Sequence, residues 1–120
     1  MAPEIVTRDM GTEPTGAFRK GEQYVSRGGR ILSRPIGVWR LSSEDAVSST
    51  STEKHAKYIV DRLEPHVKVI AQYLRYPDFR TVIAVWFEAR DGHGGYTLRA
   101  STLSRLCKLC NDIDFFFIGE

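Results

Sequence analysis

The feature that most constrains this chain is an apolar stripe through its middle third. Ala56, Ile59, Leu63, Val67, Ile70 and Leu74 recur every three or four residues, the period at which side chains stack on one face of an α-helix. The spacing predicts a helix from about Glu53 to Tyr76. Thr50 and Glu53 stand three apart, as in a capping box, where a hydroxyl takes an orphan N–H and a carboxylate reaches back. Pro65 falls inside the stripe and must forfeit one backbone hydrogen bond. Because the stripe keeps its phase across Pro65, one kinked helix is expected rather than two. Pro77-Asp78 ends it.

A helix with one apolar face needs something to bury it on, and the remaining segments read as a sheet. Thr81 to Ala89 is rich in Val, Ile, Trp and Phe, and its near-continuous apolar character predicts a central strand covered on both faces. Leu103, Leu106, Cys107 and Cys110 mark a further helix, and Ile113 to Ile118 reads as a closing buried strand. Upstream, Pro3 suits the first position of a short helix that stops at Gly11, with Ile5, Val6 and Met10 on its buried side. Residues 17 to 41 read as extended, with Gln23-Tyr24-Val25 entering a hairpin whose tip is Gly28-Gly29. Val38 to Leu41 alternates as a half-buried strand does, and Pro35 limits it to starting later or to an edge. The hydroxyl-rich run from Ser42 to Thr52 is a loop. Helices and strands intermix, which predicts an α+β class: a mainly antiparallel sheet with two or three helices packed on it and the long kinked helix at the centre.

Size and composition bound the rest. At 120 residues and 13.6 kDa the chain fits one domain over residues 1–120. With 42% hydrophobic and 27% charged residues it is too apolar to be disordered. The longest apolar runs, Val82 to Phe87 and Phe115 to Ile118, fall far short of the roughly 20 residues that cross a bilayer, so no membrane partner is expected. Met1-Ala2-Pro3-Glu4 lacks the basic and apolar stretches of a secretory signal, which makes the cytoplasm the expected compartment.

Four segments in order carry a family resemblance. They are Pro3-Glu4-Ile5 through Met10-Gly11-Thr12-Glu13-Pro14-Thr15, then Arg19-Lys20-Gly21-Glu22, then Gly37-Val38-Trp39-Arg40-Leu41-Ser42-Ser43. The fourth is Gly92-His93-Gly94-Gly95-Tyr96-Thr97-Leu98, leading to Asp112-Ile113-Asp114-Phe115. Together they make the chain resemble the bacterial domain of unknown function 4279 family. The resemblance implies a small α/β or α+β domain and transfers no biochemical activity. It also implies a β-strand ahead of the first helix, a strand not expected here because Met1 sits where that helix is about to start, and a glycine where Cys110 stands. The expectation is then a start further upstream, an open slot in the sheet, or a slot filled by a partner's strand.

The chemistry-bearing residues are few. Cys107 and Cys110 have the spacing of redox and zinc motifs, but no second cysteine pair exists, and both continue the Leu103 and Leu106 stripe as small core residues would. His55 and His66 lie about 16 Å apart along one helix, too far to share a metal, and read as solvated surface positions. His93, beside Asp91 and among Gly92, Gly94 and Gly95, sits in a turn where backbone can approach a ligand closely. No phosphate-loop, nucleophile-elbow or zinc-protease spacing is present. No cofactor and no metal are implied.

The largest charge asymmetry lies in residues 19 to 40. Arg19, Lys20, Arg27, Arg30, Arg34 and Arg40 face only Glu22. Arginines in a hairpin can grip phosphate or an acidic protein surface through forked hydrogen bonds. Tyr24 and Trp39 add stacking surface for single-stranded nucleic acid or serve as core anchors. A formal charge of +2 for the whole chain is small for nucleic acid. The sequence therefore favours a non-enzymatic protein-binding module of immunity or regulatory type, with an unidentified protein partner or a homodimer formed by strand pairing. Its candidate contacts are Arg19, Lys20, Arg27, Arg30, Arg34, Asp91 and His93. The alternatives are a small-molecule binder or small enzyme using the turn from Asp91 to Gly95, and nucleic-acid binding through the hairpin.

Overall fold

The structure, a computed structural model, describes residues 2–88 and 96–118. Its contacts divide the chain into two compact units, Met1–Ser42 and Ser43–Glu120.

In the first unit, helix α1 spans Pro3–Met10 and ends at Gly11, whose φ of 61° lets its N–H close on the Thr7 carbonyl. Met10 is buried, and Ile5 and Val6 are half-buried, as the sequence predicts. Strands β1 (Gly16–Phe18) and β4 (Val38–Arg40) pair antiparallel. The Trp39 indole N–H donates to Thr7 Oγ1 at 3.0 Å, tying β4 to α1. Strands β2 (Gln23–Val25) and β3 (Ile31–Ser33) form the predicted hairpin. Its tip is closed by the Ser26 N–H to Arg30 O and by Gly29 N–H to Ser26 O, with Gly29 at φ 79°. Backbone bonds between Gly21 and Arg34, and between Arg34 and Glu22, extend the ladder past the assigned strands.

In the second unit, α2 (Thr52–Leu63) runs into a single 3-10 turn, Glu64–His66, and continues as α3 (Val67–Arg75). Pro65 lies in that turn, so the long helix is kinked where its backbone bond is lost. Ser51 rather than Thr50 caps α2, accepting the Lys54 N–H. Glu53 does not reach back to the cap. Its two oxygens accept instead from the Arg99 N–H and the Thr102 hydroxyl, at 2.9 and 2.6 Å, and so cap helix α4 (Ala100–Cys107) from outside. A better donor set elsewhere in the fold displaced the local capping box.

Strands β5 (Val82–Glu88) and β6 (Asp112–Ile118) pair in parallel, with α4 in the connection between them. Asn111 fixes their start: its Oδ1 accepts from Thr81 N–H and its Nδ2 donates to the Leu74 carbonyl at the end of α3. Among the described residues of this unit, Val60, Ile70, Tyr73, Phe87, Leu106, Leu109 and Cys110 are the buried apolar ones.

The class is α+β, with two antiparallel ladders and one parallel one. Among the described residues the strands form three two-stranded ladders. Three expectations about burial are corrected. Strand β5 is not covered on both faces, since Trp86 is 62% exposed, and β6 is not buried, since Phe117 is 74% exposed. An unbroken apolar run carries no alternation, so it cannot say which face is inward. Cys107 is exposed rather than core, and Leu103 is exposed beside it, because α4 turns Thr102 and Leu106 inward.

Candidate functional site

The six cations of residues 19 to 40 separate into two groups. Arg19 forks onto Glu4 of α1, with Nε and Nη2 at 2.9 and 2.7 Å from the same carboxylate oxygen. That bond holds the Glu4 carboxyl below the usual carboxylate range. The Arg34 guanidinium lies between two rings, 3.9 Å from the Phe18 centroid and 3.8 Å from that of Tyr24. Arg40 packs over Gly16, where an added Cβ would come within 3.0 Å of its Nη2. These three arginines help hold the unit together. Lys20, Arg27 and Arg30 are exposed, and their side chains have no partner among the described residues.

The hairpin places apolar surface beside the unpartnered arginines. Val25 and Ile31 are directly opposed across the ladder and are 69% and 71% exposed. Tyr24 and Leu32, one step along, form the half-buried face. The tip thus presents an apolar cross-strand pair flanked by Arg27 and Arg30. The sequence shows this indirectly: Val25 and Ile31 stand symmetrically about the turn. Their outward direction depends on the register, which spacing alone does not reveal. Tyr24 has one ring face under Arg34, and Trp39 is half-buried with its N–H bonded. Neither is an open stacking platform.

Asp91 and His93, with the glycine-rich turn around them, lie outside the described residues. His55 is not a solvated surface residue. It is half-buried, with Nδ1 at 2.7 Å from Ser43 Oγ and Nε2 at 2.6 Å from the Ser49 carbonyl. A carbonyl only accepts, so Nε2 carries the proton and, in the neutral ring, Nδ1 accepts from the Ser43 hydroxyl. The histidine pins both ends of the hydroxyl-rich loop. His66 is also half-buried, in the 3-10 turn. Burial pushes the Cys110 thiol up, with the neighbouring Cys107 adding to it, away from the thiolate that redox chemistry needs.

An open cleft of about 340 Å³ is lined by residues including Thr50, Glu53, Tyr96 and Arg99. Its carboxylate is already engaged twice by α4, and the Thr102 hydroxyl bond holds Glu53 below the usual range. Among the described residues no group of three or more His, Cys, Asp or Glu is arranged to hold a metal ion. No described helix is long and apolar enough to cross a membrane.

A second apolar surface lies on the parallel ladder. Trp86 and Phe116 are register partners whose rings stack at 4.2 Å, and Phe117 packs on Phe87 at 5.2 Å. Among the described residues neither β5 nor β6 has a partner on its outer edge.

The fold is α+β, and its described residues expose apolar side chains at the β2–β3 hairpin tip and on the β5–β6 ladder. The chain matches the family described as Domain of unknown function (DUF4279) over residues 1–117, across both units, and belongs to that family. No curated protein and no solved structure matches it.

Proposed function

We propose that this chain is a non-enzymatic protein-binding module of immunity or regulatory type that grips an acidic protein surface with its β2–β3 hairpin. The observation that carries the reading is the exposed Val25–Ile31 pair flanked by the unpartnered Arg27 and Arg30. Apolar side chains supply the desolvated centre that holds a protein contact, and rim arginines steer and orient an acidic partner. Lys20 lies on the same unit and adds to the field. A photo-crosslinking side chain at Ile31, in cells that make the protein, tests this. The expected result is a discrete adduct that disappears when Arg27 and Arg30 are both changed to Glu. An adduct indifferent to those charges, or none in cells where Leu32 also yields none, overturns it.

A second reading, a homodimer by strand pairing, is favoured by the β5–β6 ladder. Two edges without a partner among the described residues, beside exposed Trp86 and Phe117, are the geometry at which another strand adds. Analytical ultracentrifugation of the wild type and Trp86→Lys distinguishes it. A dimer that the variant dissociates supports strand pairing, and a monomer across the accessible concentration range removes it.

A further inference from the structure

We propose that Arg34 is a carboxylate-binding residue, presenting Nη1 and Nη2 to an oxyanion from within the Phe18–Tyr24 clamp. The argument begins with the donors. A guanidinium has five N–H groups in one plane and no acceptor. Rings above and below stabilise its charge but leave hydrogen bonding only along its edge. The Nε atom is buried and has no hydrogen-bond partner. No carboxylate among the described residues bonds to Arg34, although Arg19 and Arg105 both find one. The cation is therefore fixed in orientation, partly desolvated and without an anion among the described residues.

The backbone adds to the rigidity. The Arg34 N–H donates to the Glu22 carbonyl, and the Arg34 carbonyl accepts from Gly21 N–H, both at 2.8 Å. Side chain and main chain are held before any ligand arrives, so little entropy remains to be lost on binding. With Nε sealed, the accessible approach is end-on, to the two Nη atoms. A planar carboxylate matches that pair of parallel donors. The site is distinct from the Val25–Ile31 surface, because Arg34 follows Leu32 by two residues and shares the Tyr24 face of the hairpin. Its failure leaves the protein-binding reading untouched.

The test is a titration of the full-length, 15N-labelled chain, following the arginine side-chain resonances. The probes are sodium acetate, a capped tripeptide with a central glutamate, inorganic phosphate, and sodium chloride at matched ionic strength. The Arg34 signals are expected to shift saturably with acetate or the peptide, while those of Arg27 and Arg30 drift without saturating. The peptide binding tighter than acetate assigns the source as a protein side chain, and the reverse assigns a free carboxylate. Arg34→Lys keeps the charge but loses the fork, and is expected to weaken the response of the Tyr24 ring signals about fivefold or more. The Trp39 indole signal, set by its bond to Thr7, reports that the unit remains folded. No saturation beyond chloride, an unchanged response in Arg34→Lys, or phosphate saturating at lower concentration than either carboxylate overturns the assignment.

Discussion

Arg34 in the first unit and Arg105 in the second are both half-buried, and the fold holds them by opposite means. Arg105 lies on α4 and forks onto Glu64, with Nε and Nη2 at 2.8 and 2.9 Å from its two oxygens and Asp61 at 3.7 Å. Its Nε and Nη2 atoms are both engaged, and the bond to Glu64 raises its own pKa while lowering that of Glu64. Arg34 is held by ring faces, with Nε buried and no hydrogen-bond partner for its guanidinium among the described residues. A cation neutralised by a carboxylate is a fastener between elements. A cation held only by aromatic rings is fixed in place and still able to bind. The first unit uses both devices, since Arg19 there forks onto Glu4 while Arg34 is held by rings.

The largest effect should come from removing the seat of the fastener. Leu106 is almost fully buried on α4, next to Arg105. Leu106→Ala is expected to destabilise the second unit by about 2–5 kcal/mol in chemical denaturation. A loss below 1 kcal/mol would mean that α4 is not anchored by packing and that the ion pair carries more than the contrast assigns to it.

A smaller change separates the hairpin. Gly29 sits at φ 79°, with open space where a Cβ would go, so Gly29→Ala meets backbone strain rather than a clash. It should cost about 1 kcal/mol and loosen the turn that sets the hairpin register. Hydrogen exchange at Ser26 and Arg30 reads this directly. Unchanged protection would show that the tip does not depend on the left-handed residue.

The carboxylate fastenings also predict a pH response. Glu53 and Glu64 are held below their ordinary range by hydrogen bonds from Thr102 and Arg105 respectively. A lowered folded pKa contributes stability above the unfolded value and loses it as the pH falls through the folded one. The contribution of these two carboxylates to stability should be constant from pH 8 to about 5 and decline below about 4. Glu53→Gln with Glu64→Gln should lower the plateau and flatten the decline. A decline of the same slope in the double variant would place the acid sensitivity elsewhere.

The smallest effect on stability belongs to the open cations. Changing Arg27 and Arg30 to Ala should move the unfolding free energy by no more than about 0.5 kcal/mol, because neither side chain has a partner among the described residues. A larger loss would make them structural and remove them from the contact surface.

The elements were more legible than their arrangement. The stripe from Ala56 to Leu74 and the in-phase Pro65 led to a long kinked helix, and Pro3 and Gly11 marked the first helix at both ends. Gly28-Gly29 located the hairpin tip. These are local signals, written in residues whose backbone preferences act at their own positions. The spacing of Thr50 and Glu53 does not reveal the cap of α2, because Glu53 has a tertiary use. The environment of His55 is not legible in the sequence, because its partners, Ser43 and Ser49, approach only once the loop folds over it. The same holds for the candidate site. The basic run was visible, but which of its arginines were engaged depended on Glu4, Phe18 and Tyr24. Spacing does not announce those contacts.

The central claim is that the cations of residues 19 to 40 divide into held and open members. The arginine side-chain NMR spectrum of the free chain tests it most directly. Stacking between two rings should move the Arg34 Hε resonance upfield by ring current and slow its exchange, while Arg27 and Arg30 show solvent-like shifts and fast exchange. Arg34, Arg27 and Arg30 signals that coincide would contradict the division, and with it the account of how this hairpin presents itself to a partner.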